Sequence, residues 1–225
     1  MERAALVTGG SSGIGRAIAR MLAAEGWALT LVSRTREKVE TAAAELGAEA
    51  VAADVSREED AHQAVAAHEE RHGRLDLLVN SAGVGVAGRI EDLPTKHWDL
   101  QLGVNLRATF LLTRAALPLL RASRGQVVNL ASIAGTVPVP GLAAYGAAKA
   151  AVISFTRSFN AEVAADGVRA TAVCPGFVDT PMAAWSGIPP DEMIRPEDCA
   201  AVVQMLLALS PAARIPQVVI ERVGD

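Results

Sequence analysis

Apolar residues along this chain follow two alternating rhythms. Short runs in which nearly every position is apolar, AALVTG, ALTLVS, AEAVAAD, LDLLVN, GQVVNLAS, VRATAVCPG and PQVVIE, read as strands covered on both faces. Between them the apolar residues fall at helical spacing. This predicts helices over 13–25, 35–46, 57–72, 97–122, 142–165 and 196–209. Strict strand–helix alternation calls for right-handed crossovers and a parallel sheet. The expected fold is α/β, a single domain over residues 1–225 built on a doubly wound parallel sheet of about seven strands. No repeat, low-complexity tail or linker breaks the alternation.

Composition narrows this. The chain has 225 residues, enough for one domain with a substantial core. It is 51% hydrophobic but only 4% aromatic, so Ala, Val, Leu and Ile must fill that core. Such a mixture suits close helix-on-sheet layers better than a sandwich of aromatic strands. A formal charge of −4 with mixed signs leaves no basic face for nucleic acid. Cys174 and Cys199, the two cysteines, sit in apolar stretches and are expected to be free thiols in a reducing compartment. The start, MERAALVTGG, lacks the apolar run of a signal peptide, and no segment approaches the roughly 20 apolar residues of a membrane helix. The expectation is a soluble, cytoplasmic protein with no membrane partner.

The first candidate chemistry is TGGSSGIG, Thr8 to Gly15, between the first strand and the first helix. Gly9, Gly13 and Gly15 permit a tight turn and close approach of backbone to a ligand. The helix that starts there aims free N–H groups and its positive dipole end at the same place. Pyrophosphate is the natural guest, although the spacing is not the G-x-G-x-x-G of the standard dinucleotide fingerprint. About 20 residues further, where a carboxylate would hold a ribose 2′-hydroxyl, the second strand ends in Ser33 and Arg34. A guanidinium there suits a 2′-phosphate, which favours NADP over NAD.

The second is Tyr145, the only tyrosine, set among alanines one helical turn before Lys149. The i, i+4 spacing puts both on one helix face. A free phenol, with pKa about 10, moves protons poorly at neutral pH. An adjacent ammonium, helped by the positive charge of an oxidised nicotinamide, is expected to lower it. A third pattern, HEERH from His68 to His72, matches a zinc motif. These histidines extend the Ala61/Val65 stripe, and the only third ligand at hand is Glu91, so packing rather than metal binding is expected.

Taken together, the motifs identify the chain as resembling the short-chain dehydrogenase/reductase family over essentially its whole length. TGGSSGIG resembles the family's T-G-x-x-x-G-x-G turn. Asp54 in DVS resembles the acidic residue that contacts adenine. NSAG, Asn80 to Gly83, resembles N-N-A-G, GVNLRATF supplies Asn105, LASIAG supplies Ser132, and CPGFVDTPM resembles the P-G stretch after the sixth strand. The resemblance implies a Rossmann-type fold and a catalytic set of Asn105, Ser132, Tyr145 and Lys149. Ser132 would bond the substrate oxygen and Tyr145 would exchange a proton with it. Lys149 would hold the nicotinamide ribose and tune Tyr145, and Asn105 would anchor a water leading to solvent. Cofactor contacts are implied for Gly9, Ser11, Ser12, Gly13, Ile14 and Gly15 in the first turn and for Ser33, Arg34, Asp54 and Val55 at the next strand ends. They are implied also for Asn80, Ala82 and Gly83, for Tyr145 and Lys149, and for Pro175, Gly176, Val178 and Thr180.

Ligands of open α/β sheets bind beyond the carboxyl ends of the strands. The segments reaching that edge bring Val84, Val137, Pro138, Leu142, Phe177, Met182, Trp185, Ile188 and Met193, a mostly apolar wall. This suggests a shallow pocket for a modest apolar ketone or aldehyde, or a chain-bearing 3-oxo compound, with Arg89 and Arg195 the only cations near. The expected activity is hydride transfer between NADP(H) and a carbonyl or secondary alcohol. The alternatives are a 3-oxoacyl-carrier-protein reductase, docked through Arg89, Arg121 and Arg124, and a non-catalytic NADP-binding sensor. A homo-dimer or homo-tetramer is expected. The short segment after PQVVIE, which in the family helps form one tetramer interface, argues against the tetramer.

Overall fold

The computed structural model describes residues 2–223. Seven parallel strands form one sheet. They are β1 (Ala4–Thr8), β2 (Ala28–Ser33), β3 (Glu49–Ala52), β4 (Leu77–Asn80), β5 (Gln126–Leu130), β6 (Arg169–Pro175) and β7 (Gln217–Ile220), in the order β3-β2-β1-β4-β5-β6-β7. The chain winds outward from β1 to β3, then returns to lay β4 on the other side of β1. The carboxyl ends of β1 and β4 therefore flank the switch point where such sheets bind ligands.

Alternation along the strands sends apolar side chains to two separate layers. Ala5 and Val7 of β1 join one core with helices α1 (Gly13–Ala24), α2 (Arg36–Leu46) and α7 (Pro196–Leu207), where Ile18, Leu22, Val39 and Leu206 are buried. Leu6 faces the other way. It packs with α3 (Glu58–His72), α5 (Ala108–Ser123) and α6 (Ala143–Glu162) through Val65, Leu111, Leu112 and Phe159. Burying a Leu of this kind stabilises by about 1.5–3 kcal/mol, and small residues such as Ala17, Ala19 and Ala200 let the helices lie close.

A strip of buried amides and a hydroxyl crosses the second layer. Asn80 Nδ2 donates to Asn129 Oδ1 at 2.8 Å, and Asn129 Nδ2 donates to Thr156 Oγ1 at 2.9 Å. This ties β4, β5 and α6 together and fixes how α6 lies on the sheet.

The helix expected over 97–122 is two helices. The first, α4 (Thr95–Leu102), runs into a π-helical turn, Gly103–Arg107, before α5 begins. A π turn admits one extra residue into a helix and re-aims the side chains within it. Here it carries Asn105. Other expected boundaries hold to within a few residues; α6 ends at Glu162, and a 3-10 turn, Ala164–Asp166, takes up the rest of the expected length.

The histidines of HEERH pack within α3. His68 is fully buried, with Nδ1 2.8 Å from Thr30 Oγ1 and Nε2 2.9 Å from the Arg74 carbonyl, so both its nitrogens are engaged inside the protein. Burial pushes it down to about 4. Glu91 is bonded to Arg89 in the loop after β4, and no group of three or more metal-ligating side chains converges among the described residues. Both cysteines are free and buried. Among the described residues no helix is long and apolar enough to cross a membrane.

Candidate active site

The turn from β1 to α1 is pressed against its surroundings. Gly9 has φ 65°, and a Cβ there would stand 2.9 Å from the Ser81 carbonyl oxygen; a Cβ on Gly15 would stand 2.5 Å from the carbonyl oxygen of Gly9. Only glycine fits either place. Thr8, at the end of β1, accepts hydrogen bonds from the Ser81 and Ala82 N–H groups at 3.1 Å each. That binds the turn to the segment after β4. Helix α1 has no side-chain cap on its N-terminus and no acidic residue in its first turn. Its positive end and orphan N–H groups face the cleft through Ser12, Gly13 and Ile14, a fit for an anionic group.

Beyond the turn, the Ser11 hydroxyl donates to Ser33 Oγ at 2.9 Å, joining the turn to the end of β2. The next residue, Arg34, is exposed, and its guanidinium makes no hydrogen bond or ion pair with any described residue. Its neighbour Arg36 is tied to Glu40, and Arg16 to Glu45. Asp54 builds its own turn: its Oδ1 accepts from the Ser56 N–H at 3.1 Å and hydroxyl at 2.7 Å, with Val55 buried beside it.

The chemical end lies where β5 meets α6. Ser132 follows β5; its Oγ accepts from the Ala134 N–H at 3.2 Å, donates to the Pro175 carbonyl at 3.5 Å, and lies close enough to the Tyr145 phenol to favour its ionised form. Tyr145, in the first turn of α6, is half-buried. Lys149 is 4% exposed and forms no ion pair; its Nζ donates to the Leu130 carbonyl at 2.6 Å and lies 5.5 Å from the centre of the Tyr145 ring. Desolvation pushes Lys149 down to about 8.

The lowering expected for the phenol is one with an oxidised nicotinamide beside it; in the protein alone the balance is different. Burial pushes Tyr145 above its ordinary value, opposed only by the Ser132 hydrogen bond. In the protein alone the Lys149 ammonium lies 5.5 Å from the ring centre and gives one of its three N–H groups to the Leu130 carbonyl.

Asn105 is aimed at the segment after β4. Its Oδ1 accepts from the Val84 N–H at 3.1 Å and its Nδ2 donates to the Val84 carbonyl at 2.8 Å. A side chain begun at Gly83 would stand 3.0 Å from Asn105 Oδ1 and 3.7 Å from Lys149 Nζ, so both border that glycine.

One cleft of about 240 Å³ joins the two ends. It is lined at the phosphate end by Gly9, Ser12, Gly13 and Ile14, at the chemical end by Gly83, Ser132, Tyr145 and Lys149, and across the top by Pro175, Gly176, Val178 and Thr180. Asn80 lies outside it, because its amide is turned inward to Asn129 and Thr113. Gly15 is backed against Gly9, and Ala82 gives its N–H to Thr8. Of the expected apolar wall, Leu142, Phe177, Met182 and Trp185 line the cleft; Val84, Val137, Pro138, Ile188 and Met193 do not. Ile133, Ala134, Val139 and Gly85 line it instead, from a short turn and loops whose inward faces no periodicity marks. Arg89 and Arg195 are each bound to a carboxylate, Glu91 and Asp198. The basic cluster expected around Arg89, Arg121 and Arg124 does not form. Arg121 and Arg124 sit at the end of α5, which leads into the amino end of β5, away from the cleft, and Arg121 pairs with Asp166.

The sequence and the fold have known counterparts. The family model for short chain dehydrogenases matches residues 3–187. A 2-(R)-hydroxypropyl-CoM dehydrogenase of Xanthobacter autotrophicus is 43% identical over 197 residues, covering 82% of this chain and 78% of that protein. An uncharacterized oxidoreductase of Staphylococcus epidermidis is 40% identical over 184 residues, 80% of each chain. Among solved structures, an alcohol dehydrogenase from the archaeon Thermococcus sibiricus complexed with 5-hydroxy-NADP superposes with a TM-score of 0.93 at 30% identity, covering 100% of this chain and 98% of the other. A 3-ketoacyl-(acyl-carrier-protein) reductase from Brucella melitensis complexed with NADH gives 0.91 at 31%, covering 97% and 96%. With a glycine turn and a serine–tyrosine–lysine cluster meeting in one cleft on a seven-stranded sheet, the chain belongs to the short-chain dehydrogenase/reductase family and is an oxidoreductase of the nicotinamide-dependent kind.

Proposed function

We propose that this protein is an NADP-dependent carbonyl reductase or alcohol dehydrogenase that interconverts a modest apolar ketone or aldehyde and its alcohol, with Tyr145 as proton donor and acceptor. The observation that carries this reading is the convergence of the Ser132 and Tyr145 hydroxyls with the buried Lys149 ammonium on one apolar cleft. A substrate oxygen lodged between the two hydroxyls accepts a hydrogen bond from Ser132 and the proton from Tyr145; in the oxidative direction Tyr145 takes the proton back. The nicotinamide, when bound, supplies or accepts the hydride at the carbonyl carbon. Gly9 and the N-terminus of α1 hold its pyrophosphate, and Lys149 its ribose. Leu142, Phe177, Met182 and Trp185 give the reacting end an apolar wall and present no charge to the substrate.

The preference for NADP rests on Arg34, an exposed guanidinium without a partner at the end of β2, and on the lack of a carboxylate at that strand end. The apolar wall and the paired state of Arg89 and Arg121 favour a small neutral substrate over an acidic carrier protein. Retention of Ser132, Tyr145 and Lys149 in one cleft favours an enzyme over a sensor. Trp98 and Phe110 leave apolar surface exposed on α4 and α5, which supports pairing of two copies along these helices.

The test is an NADPH-oxidation screen over uncharged ketones and aldehydes, repeated with Tyr145→Phe. Loss of the proton donor is expected to lower kcat by about 10²–10⁴-fold, while cofactor affinity, read by NADPH fluorescence, stays unchanged. A Phe variant that turns over like the parent sinks the assignment.

A further inference from the structure

The segment after β4 forms the wall of the cleft beside Tyr145, yet it belongs to no strand. Its backbone hangs on side chains. Thr8 takes the N–H groups of Ser81 and Ala82, Asn105 takes both backbone groups of Val84, and Gln101 Oε1 accepts the N–H of Val86 at 3.0 Å. The next backbone bond in the segment runs from the Gly88 N–H to the Gly141 carbonyl at 2.9 Å.

Gln101 and Asn105 are four residues apart, so the end of α4 and its π-helical turn present two amides to alternate residues of this segment. Between the two anchored residues lies Gly85, which faces the Tyr145 ring across about the breadth of a methyl group: a side chain begun there would stand 3.7 Å from Cδ2 and Cε2 of Tyr145 and 3.8 Å from Met182 Sδ, ordinary contact distances.

Gln101 is fully buried. Because its partner is an N–H donor, the oxygen of its amide must face Val86. Its Nε2 is buried as well and meets no acceptor among the described residues. The side chain thus uses one oxygen and leaves its donor idle, an arrangement that packing alone does not call for.

We infer that Gln101 is a positioning residue of the active site: by holding the Val86 N–H it fixes Gly85 about a methyl's breadth from the Tyr145 ring, and so bounds the space in which the phenol can turn away from the substrate oxygen. Gln101 touches neither substrate nor cofactor and acts through Val86 and Gly85. The inference rests on the reading of Tyr145 as proton donor.

The idle donor makes the test sharp. Gln101→Met keeps the length and apolar stem and removes the acceptor. Gln101→Glu keeps an oxygen for Val86 and puts a carboxyl, held neutral by burial, in place of the N–H group that has no partner. Steady-state kinetics with NADPH and a carbonyl substrate found in the screen, thermal melting and NADPH fluorescence titration are measured for both variants. For Gln101→Met we expect kcat to fall about ten-fold, since small misplacements of reacting groups are that costly, with NADPH affinity unchanged. Gln101→Glu is expected to restore most of kcat.

Equal, near-parental activity in both variants overturns the inference. So does an equal loss in both that tracks a fall in melting temperature, which marks a purely structural residue. If Gln101→Met does not fold, kcat of the folded Glu variant decides: a ten-fold fall there refutes a role that needs only an acceptor. An inactive parent protein would instead count against the proposed function, which keeps the two failures distinct.

Discussion

Lys149 sets function against stability, and the conflict can be measured. A free lysine titrates at 10.5, but burial brings this one to about 8. Each tenfold change in proton affinity is worth about 1.4 kcal/mol, so keeping Lys149 charged in the folded protein at pH 7 costs about 3 kcal/mol. Lys149→Met removes that cost and keeps the apolar stem. It also removes the hydrogen bond to Leu130, worth about 1 kcal/mol. The cofactor-free variant should therefore be more stable than the parent at pH 7 by about 2 kcal/mol, while losing turnover.

The pH dependence follows from the sign of the shift. The folded state holds this proton less tightly than the unfolded state. Below about 8 both states are protonated and the full penalty is present. From about 8 to 10.5 the unfolded chain binds more protons, so the parent gains stability as pH rises. The advantage of the Met variant should be flat below pH 8 and shrink across that window. Urea unfolding of both proteins at pH 7 and at several higher pH values reads it directly. A Met variant less stable at pH 7, or a difference that ignores pH, refutes the reasoning.

Two further outcomes are expected. Arg34→Asp should shift the ratio of kcat/KM for NADPH over NADH toward NADH by about 10–100-fold, the worth of one or two charge-assisted hydrogen bonds to a 2′-phosphate; an unchanged ratio removes that role. His68, held at about 4 against the usual 6.5, stays neutral in the fold while the unfolded chain takes up a proton as pH falls. The parent should lose about 3 kcal/mol between pH 6.5 and 4 from this group; denaturant melts of the parent and His68→Asn should diverge in that acid limb, and parallel curves would show that the ring gains its proton freely in the fold.

Much of the frame was legible because parallel sheets buried on both faces write themselves as unbroken apolar runs. All seven strands were found from such runs, and their alternation with helices implied the topology. The π-helical turn was not legible: Leu100 to Arg107 continues the helical pattern, and the turn goes with a contact between Asn105 and Val84, 21 residues apart. The place of the candidate site was readable where a residue type is rare or a motif is ordered along the chain, as with Tyr145, Ser132 and the glycine turn, which line one cleft. Burial depth was not: a Y-x-x-x-K spacing fixes a shared helix face but says nothing of the desolvation that raises the phenol in the protein alone, or of the carbonyl that takes a hydrogen bond from the ammonium. Asn80 stands in a motif associated with the cofactor, yet its partner Asn129 is 49 residues away and turns it inward. Gln101 had a signal, its four-residue spacing from Asn105, but its meaning appears only when the Val86 N–H is in place.

The wall next to Tyr145 is suspended from three polar hooks, Thr8, Asn105 and Gln101, and takes no part in the ladder of the sheet. Replacing one hook re-shapes the chamber while the load-carrying scaffold of strands stays as it is. A lineage built this way can drift to new substrates through solitary point changes, with little loss of foldedness along the route.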